Sequence, residues 1–375
     1  MKSKQKISSL VVFIVILIAL LVFIGESATA SAKTLIVDPG GAGNYTEIQD
    51  AIDSANSGDT IMVNAGTYTE NLKLELELNI WSDSRNPEDT IIKPADQDEN
   101  VVEIKADSVT FSGFGIQGSE KAGIYLEDAD GCFIYNNKIL DSEYGIYLEN
   151  SNRSVLSSNI LSLNEIGIRL EASETNTIRT NIIAYNYGYG ISLADSADNL
   201  IYDNYFKNNA NVEENTDNQE NSWSIALNSK KNIIRGPYIA GNFWANLEGT
   251  GYSETGKDEN ENGLCDTPYV ADWGGTDNSP LYLTVPEAIT TIEGKLDKTA
   301  YEEGLSSRGG EELEMETPEG GEGEVEETET EVYSEGREEE KSENETSAGA
   351  NGSSGPGIVI ALLAAGAVYL IMKKR

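Results

Sequence analysis

Gly123-Ile124-Tyr125-Leu126, Gly145-Ile146-Tyr147-Leu148, Gly167-Ile168-Arg169-Leu170 and Gly190-Ile191-Ser192-Leu193 recur at spacings of 22, 22 and 23 residues. A second element keeps step with them. Ile134, Leu156, Ile178 and Ile201 each stand three residues before Asn137, Asn159, Asn181 and Asn204, and two residues after each Asn comes Ile139, Leu161, Ile183 or Phe206. Self-similarity at a fixed period of this length marks a solenoid. Its local period decides the kind. G-I-x-L alternates apolar and polar as a strand does, where a helix would repeat every ~3.6 residues; the leucine frame of a leucine-rich repeat is absent. Each short strand is therefore expected to pair with its counterpart one coil on, ~4.8 Å away.

In that arrangement Ile124, Ile146, Ile168 and Ile191 stack as one interior ladder, with Leu126, Leu148, Leu170 and Leu193 as another. The Asn column fits a tight bend, where side-chain amides bond along the axis and Asn tolerates left-handed geometry. Val102 and Ile104 lie 22 residues before Ile124 and Leu126, so the stack extends upstream. The segment from Asn44 to Ile52 reads as a short helix covering the open first coil, as solenoid ends require.

Composition removes whole classes of chemistry. The 375 residues carry 26 Lys+Arg against 64 Asp+Glu, a formal charge of −38, and no histidine. Imidazole bases, Ser-His-Asp and Cys-His catalysis and His-ligated zinc are excluded. So is nucleic acid as a partner, since nothing here could replace its counterions. Two cysteines, Cys132 and Cys265, are too few for a disulfide scaffold or a thiolate metal site. Cys132 aligns with Ser154, Asn176 and Asn199 and is expected to be a small buried thiol.

The ends point to export. Lys2, Lys4 and Lys6 precede the apolar run Leu10 to Ile24, and Ala28-Thr29-Ala30 and Ala30-Ser31-Ala32 offer small-residue cleavage sites, so 1–32 reads as a signal peptide. Residues 33–283 form the solenoid domain. In 284–355, 22 acidic against 5 basic residues predict a disordered, extended stalk. Within 356–375, the run Gly357 to Met372 is closed by Lys373-Lys374-Arg375, a C-terminal transmembrane segment or a sorting signal exchanged for a lipid. Pro356-Gly357-Ile358 with this run resembles the archaeal PGF-CTERM signal, with Ile358 in place of the usual Phe. The expected location is the cell surface, anchored to the membrane at the C-terminus. Asn44, Asn152, Asn344 and Asn351 head glycosylation sequons.

Further motifs carry a family resemblance. Asp38-Pro39-Gly40, Gly58-Asp59-Thr60-Ile61 and Gly66-Thr67-Tyr68 are similar to the first coil of pectin-lyase-like proteins. Gly241-Asn242-Phe243-Trp244, Asp266-Thr267-Pro268-Tyr269 and Asp277-x-x-Pro280-Leu281 are similar to their NosD-like subfamily. The resemblance covers Thr34 to Leu283 and implies a right-handed, single-stranded parallel β-helix, an all-β fold. It also implies copper handling, which this sequence rejects: it has no histidine, and methionine within the solenoid is limited to Met62. The Gly-His-Gly of polysaccharide hydrolases of this fold has no counterpart. Arg153, Arg169 and Arg179 fall in different places of the repeat and make no lyase motif.

Two features could bear function. Asp258, Asn260, Asn262 and Asp266 stand at positions 1, 3, 5 and 9 of a loop with Gly263 at 6 and the Leu264 carbonyl at 7, the spacing of a calcium loop. Position 12 is Tyr269, so this is no EF-hand, and Ca²⁺ is expected to bind weakly across 258–266. Glu127, Glu149 and Glu171 follow the ladder leucines and should stack ~4.8 Å apart outside, raising one another's pKa or recruiting a cation. Such a pair also matches a retaining glycosidase. Tyr125 and Tyr147 stack beside them as flat surface for sugars. Three readings follow: a non-enzymatic binder of carbohydrate or envelope components, a polysaccharide hydrolase or lyase using the stacked carboxylates, and a structural spacer or adhesin module.

Overall fold

The computed structural model of the protein describes residues 31–213, 220–271 and 274–308. Their backbone winds into coils of three short parallel strands, and like strands of successive coils pair into three sheets. Sheet 1 runs through eight strands from Thr34–Val37 to Leu200–Tyr202. Sheet 2 runs through eight from Gly66–Thr69 to Phe243–Ala245. Sheet 3 runs through seven from Leu72–Leu74 to Ala210–Val212. The register follows the repeat: Ile124 pairs with Ile146, Ile146 with Ile168 and Ile168 with Ile191, and Val102 precedes them. One coil sends Ile146 and Leu148 from sheet 3, Leu156 from sheet 1 and Leu161 from sheet 2 into the core, all 0% exposed.

Corners hold the sheets together. Where sheet 1 turns into sheet 2, Asn137 N–H donates to Asn159 Oδ1 one coil on at 3.0 Å, and the chain continues through Asn181, Asn204 and Asn242 at 2.9, 3.0 and 3.1 Å. Each amide also donates to a backbone carbonyl across the corner, as Asn159 Nδ2 does to Ile134 O at 2.9 Å. The expected column is present, but its left-handed residue is the one before each asparagine: Asn136, Ser158, Thr180 and Asp203 have φ of 55, 58, 59 and 57°. That twist aims the next N–H along the axis, where the side-chain oxygen meets it.

The other corners repeat the device, unforeseen in the sequence. Between sheets 2 and 3, Ser142 N–H donates to Asn164, Asn164 to Asn186 and Asn186 to Asn208. Between sheets 3 and 1, one ladder runs Cys132, Ser154, Asn176 and Asn199, and a second runs Ala129, Ser151, Ser173 and Ser196. Among the described residues no buried side-chain polar atom lacks a hydrogen-bond partner. This is what allows so many amides inside a stack that would otherwise bear ~1–3 kcal/mol per unpaired group.

Helix α1 (Ile48–Asp53) covers the first coil with Ile48, Ala51 and Ile52. It starts later than Asn44 because Asn44 and Tyr45 N–H donate to Ile36 O, while the Glu70 carboxylate accepts from Ile48 and Gln49 N–H at 2.9 and 2.8 Å. The last coil is closed by Phe243 on Tyr205 and Trp244 on Phe206, both pairs at 6° interplanar angle, and by helix α2 (Tyr252–Thr255).

The expected stalk boundary at Thr284 is corrected. Helices α3 (Pro286–Glu293) and α4 (Lys298–Ser307) are formed, with Ala288, Ile292 and Tyr301 buried. They lie on sheet 2 and its corner. Lys207 Nζ meets Glu293 at 2.5 Å, and Tyr301 stacks on Tyr187 at 5.3 Å and 17°. Averaging charge over the whole acidic segment hid the apolar pair at i and i+4 in α3. The remainder of the expected stalk, the C-terminal segment 356–375 and the signal peptide up to residue 30 lie outside the described residues. Among the described residues no helix is long and apolar enough to cross a membrane.

Asn181→Ala removes the acceptor for Asn159 N–H and Nδ2 and the donor to Leu156 O. We expect a loss of roughly 3–5 kcal/mol, read as a lowered urea midpoint. Asn176→Ser should cost clearly less, since Ser154 already serves in that ladder.

Candidate functional site

Strand pairing places the outer residues of sheet 3 in two columns. Tyr125 pairs with Tyr147 and Tyr147 with Arg169; Glu127 pairs with Glu149 and Glu149 with Glu171. The expected stacks of glutamates and tyrosines are therefore present. Arg169, which matched no motif, stands in the tyrosine column, and the 22-residue step from Tyr147 was its signal. Tyr125 and Tyr147 rings lie 5.1 Å apart, Tyr144 joins Tyr147 at 5.1 Å, and the Arg169 guanidinium sits 5.7 Å from the Tyr144 and Tyr147 ring centres.

Each glutamate has a partner of its own. Lys105 Nζ bridges Glu103 at 2.9 Å and Glu127 at 2.8 Å. The Tyr125 hydroxyl donates to Glu149 Oε2, and the Tyr147 hydroxyl donates to Glu171 Oε2 at 2.8 Å. Arg169 pairs with Glu171 at 2.9 Å. Hydrogen bonds from Arg169 and then Tyr147 hold the Glu171 carboxyl below its usual range. Of the two outcomes expected for the stack, the recruited cation is the one seen at Glu127 and Glu171, and at Glu171 the hydrogen bonds from Arg169 and Tyr147 outweigh the burial that would raise the carboxyl. The two hydroxyls go the other way: burial first, and the carboxylates they serve second, push Tyr125 and Tyr147 up. A group kept ionised as Glu171 is cannot act as a general acid near neutral pH.

The loop 258–266 lies beside an open cleft of about 630 Å³ lined by Tyr252, Lys257, Glu259, Asn260 and Asp266 among others. Its turn is closed by its own groups. Asp258 accepts from Asn262 and Gly263 N–H at 2.9 and 2.8 Å, Asn262 Oδ1 from Leu264 N–H at 2.8 Å, and Asp266 from Glu259 N–H at 2.9 Å. Gly263 takes φ +83°, which the turn requires. These bonds order the turn. Among the described residues no three Cys, Asp or Glu side chains converge as a metal-binding group.

Two buried carboxyls escaped the sequence reading. Asp277, 0% exposed, accepts from Asn242 N–H at 2.7 Å, Trp244 Nε1–H at 2.9 Å and Ser279 N–H at 3.0 Å. A side chain at Gly241 would meet its Oδ1 at 2.0 Å. Gly241-Asn242-Phe243-Trp244 and Asp277-x-x-Pro280-Leu281 are therefore one closing device: bare backbone, ladder end and stacked rings around a single carboxylate. Asp203 accepts from Ile233 N–H at 2.8 Å and Thr180 Oγ1 at 3.1 Å. Burial pushes both up to about 6, against the N–H and hydroxyl donors that pull them down.

Of the sequons, Asn44 is exposed. The Ser154 hydroxyl of the Asn152 sequon is buried in a ladder, accepting from Cys132 N–H at 3.0 Å. Asn344 and Asn351 lie outside the described residues.

Residues 52–249, more than half of the chain, match the family described as periplasmic copper-binding protein (NosD). The chain belongs to that family. A cell surface glycoprotein of Methanothermus fervidus is 36% identical to this NosD-family chain over 126 residues, which are 33% of the chain and 20% of that protein. The chain thus spans about a fifth of that relative's length. The alginate lyase from Paenibacillus sp. str. FPU-7 is 14% identical, with a TM-score of 0.41 over 48% of this chain and 68% of that one. The pectin methylesterase PemA from Erwinia chrysanthemi is 10% identical, with a TM-score of 0.31 over 55% of this chain and 74% of that one. No activity follows from either likeness. The copper of the NosD description does not fit the donors here. Histidine is absent, and burial pushes the Cys132 and Cys265 thiols up to about 11 and 12, so both stay protonated near neutral pH.

Asp203 and Asp277 hold protons in the folded chain at pH values where the unfolded chain, at 3.8, has released them. Their contribution is complete below about pH 4 and is lost as pH rises through 6, by up to about 3 kcal/mol each. The thermal midpoint should climb as pH falls from 7 to 5, and this slope should flatten in Asp277→Asn.

Proposed function

We propose that this chain is a non-enzymatic surface protein that binds carbohydrate along the outer face of sheet 3. The observation that carries the reading is that the carboxylates of the column are matched by Lys105, Tyr125, Tyr147 and Arg169, while tyrosine rings lie along the axis beside them. Catalysis by paired carboxyls needs one acid held protonated and one base held ionised. Here Glu171 is held ionised and the hydrogen bonds and ion pairs fix the geometry of the column, which suits hydroxyl recognition beside flat rings. Solenoids offer such extended lateral surfaces. The match to a cell surface glycoprotein supports display outside the cell, as do the N-terminal signal and the C-terminal apolar run read in the sequence.

A glycan array followed by calorimetry tests this. Tyr147→Ala should weaken binding roughly three- to tenfold. Incubation with a polysaccharide panel should yield neither new reducing ends nor unsaturated products. Product formation abolished in Glu149→Gln would establish the enzyme reading instead, and a blank array would leave the spacer. We further propose weak Ca²⁺ binding at 258–266, of the ~10⁻⁴–10⁻³ M class, through Asp258, Asn260, Asn262, Leu264 and Asp266. Millimolar calcium should then raise the thermal midpoint and alter the fluorescence of nearby Trp244; no change in either would dismiss it.

A further inference from the structure

The three sheets differ in what covers them. Helix α3 lies on sheet 2, burying Ile182, Ala184 and Tyr205 with Ala288 and Ile292. The outer face of sheet 3 carries Lys73, Glu103, Glu127, Glu149, Arg169 and Glu171. Sheet 1 has no such helix on it and no outward carboxylate. Each of its eight strands has two side chains on the outward register, all but Ser112 at least partly exposed, and on a chain of net charge −38 not one of them is Asp or Glu. The single outward cation is Arg179. Thr34, Thr60, Thr110 and Thr177 stand in one outward column, and Phe133, between Thr110 and Val155, is 50% exposed. Trp81, Tyr135 and Tyr202 share the second column, two strands and then three strands apart, or ~10 and ~14 Å along the axis. The Arg85 guanidinium lies 5.9 Å from the Trp81 ring centre, which among the described residues leaves Tyr135 and Tyr202 as the rings without such a cation over them.

We propose that the outer face of sheet 1 docks a neutral, unbranched polysaccharide lying along the solenoid axis. Charge selects the partner. A polyanion would be repelled by the chain as a whole, and a basic partner would find its carboxylates on sheet 3. Shape selects further. Seven strand spacings by three residues give a strip of roughly 34 by 10 Å, about 350 Å² in projection. A stable pairing of two copies needs about 800 Å² from each, so this strip is too narrow to hold a second copy by itself. A single extended polymer fits it along its length. Aromatic faces at intervals with threonine hydroxyls between them supply stacking and hydrogen bonds without any ion pair.

The test is depletion of the intact chain from solution by microcrystalline cellulose and by chitin, with a polygalacturonate gel as the anionic control. The chain should be retained on at least one neutral polymer and not on polygalacturonate, equally at low and high salt, since screening has no charge pair to weaken. Phe133→Ser and Tyr135→Ala change outward residues, so folding can be verified by circular dichroism; each should weaken retention roughly three- to tenfold. Failure on both neutral polymers, or retention abolished by salt, overturns the proposal. Retention lost in Tyr147→Ala but kept in the two sheet 1 variants moves the site to sheet 3 and also overturns it. A concentration-dependent dimer in light scattering that Phe133→Asp dissolves would assign the face to a second copy, with the same consequence.

Discussion

The hydrogen bond on which this molecule depends is a short one, from a corner N–H to a side-chain oxygen one coil further on. It is made at every corner of the central coils and always one residue after a left-handed turn. Left-handed geometry is unfavourable by roughly 1–2 kcal/mol for a residue with a Cβ, and here even Leu163 and Tyr185 adopt it. The ladders offset that strain by satisfying a buried N–H and a buried amide together. They also fix the register, and register is what turns a 22-residue step in sequence into a neighbour in space. The tyrosine and glutamate columns, the uncharged strip of sheet 1 and the closing device at Asp277 all inherit their positions from it.

How much could be read beforehand follows from the same fact. Glu127, Glu149 and Glu171 were legible as a column because their spacing equals the coil, and Ile124 and its successors were legible as core for that reason. Partners offset from the repeat were not. Lys105 reaches the column from a coil whose strand is otherwise unlike the later ones, and Arg169 sits where two earlier coils have tyrosine. Charge at the Glu171 carboxyl could therefore be placed but not its sign of shift. The burial of Asp203 and Asp277 was hidden for a different reason. Each belongs to a segment outside the repeat or at its last turn, and burial of a carboxylate has no periodic signature. Helices α3 and α4 were masked by the acidic residues that follow them.

Family membership and chemistry part company here. The chain belongs to the NosD family through residues 52–249, yet the last residues of that match are accounted for by packing: Gly241 by the Asp277 carboxylate against it, Asn242 by the ladder it ends, Phe243 and Trp244 by the rings beneath them. Among the described residues the Met62 thioether is the one soft-metal donor on the side walls of the stack. Tyrosine, threonine and matched charges occupy them instead.

Helix α4 ends where Arg308 meets Glu165 and lies over the Tyr187 ring, with its Cζ atom 3.8 Å from the ring centre. Gly304 lets the helix come this close, since a Cβ there would meet the Tyr187 hydroxyl at 2.0 Å. Glu165 belongs to a middle coil, not to the last one. A pull transmitted through the chain beyond residue 308 would load this lateral clasp first and would shear it across the stack. The terminal coil would then be spared from being unwound strand by strand, because the load enters the stack at Glu165 and Tyr187 and not at its last strand.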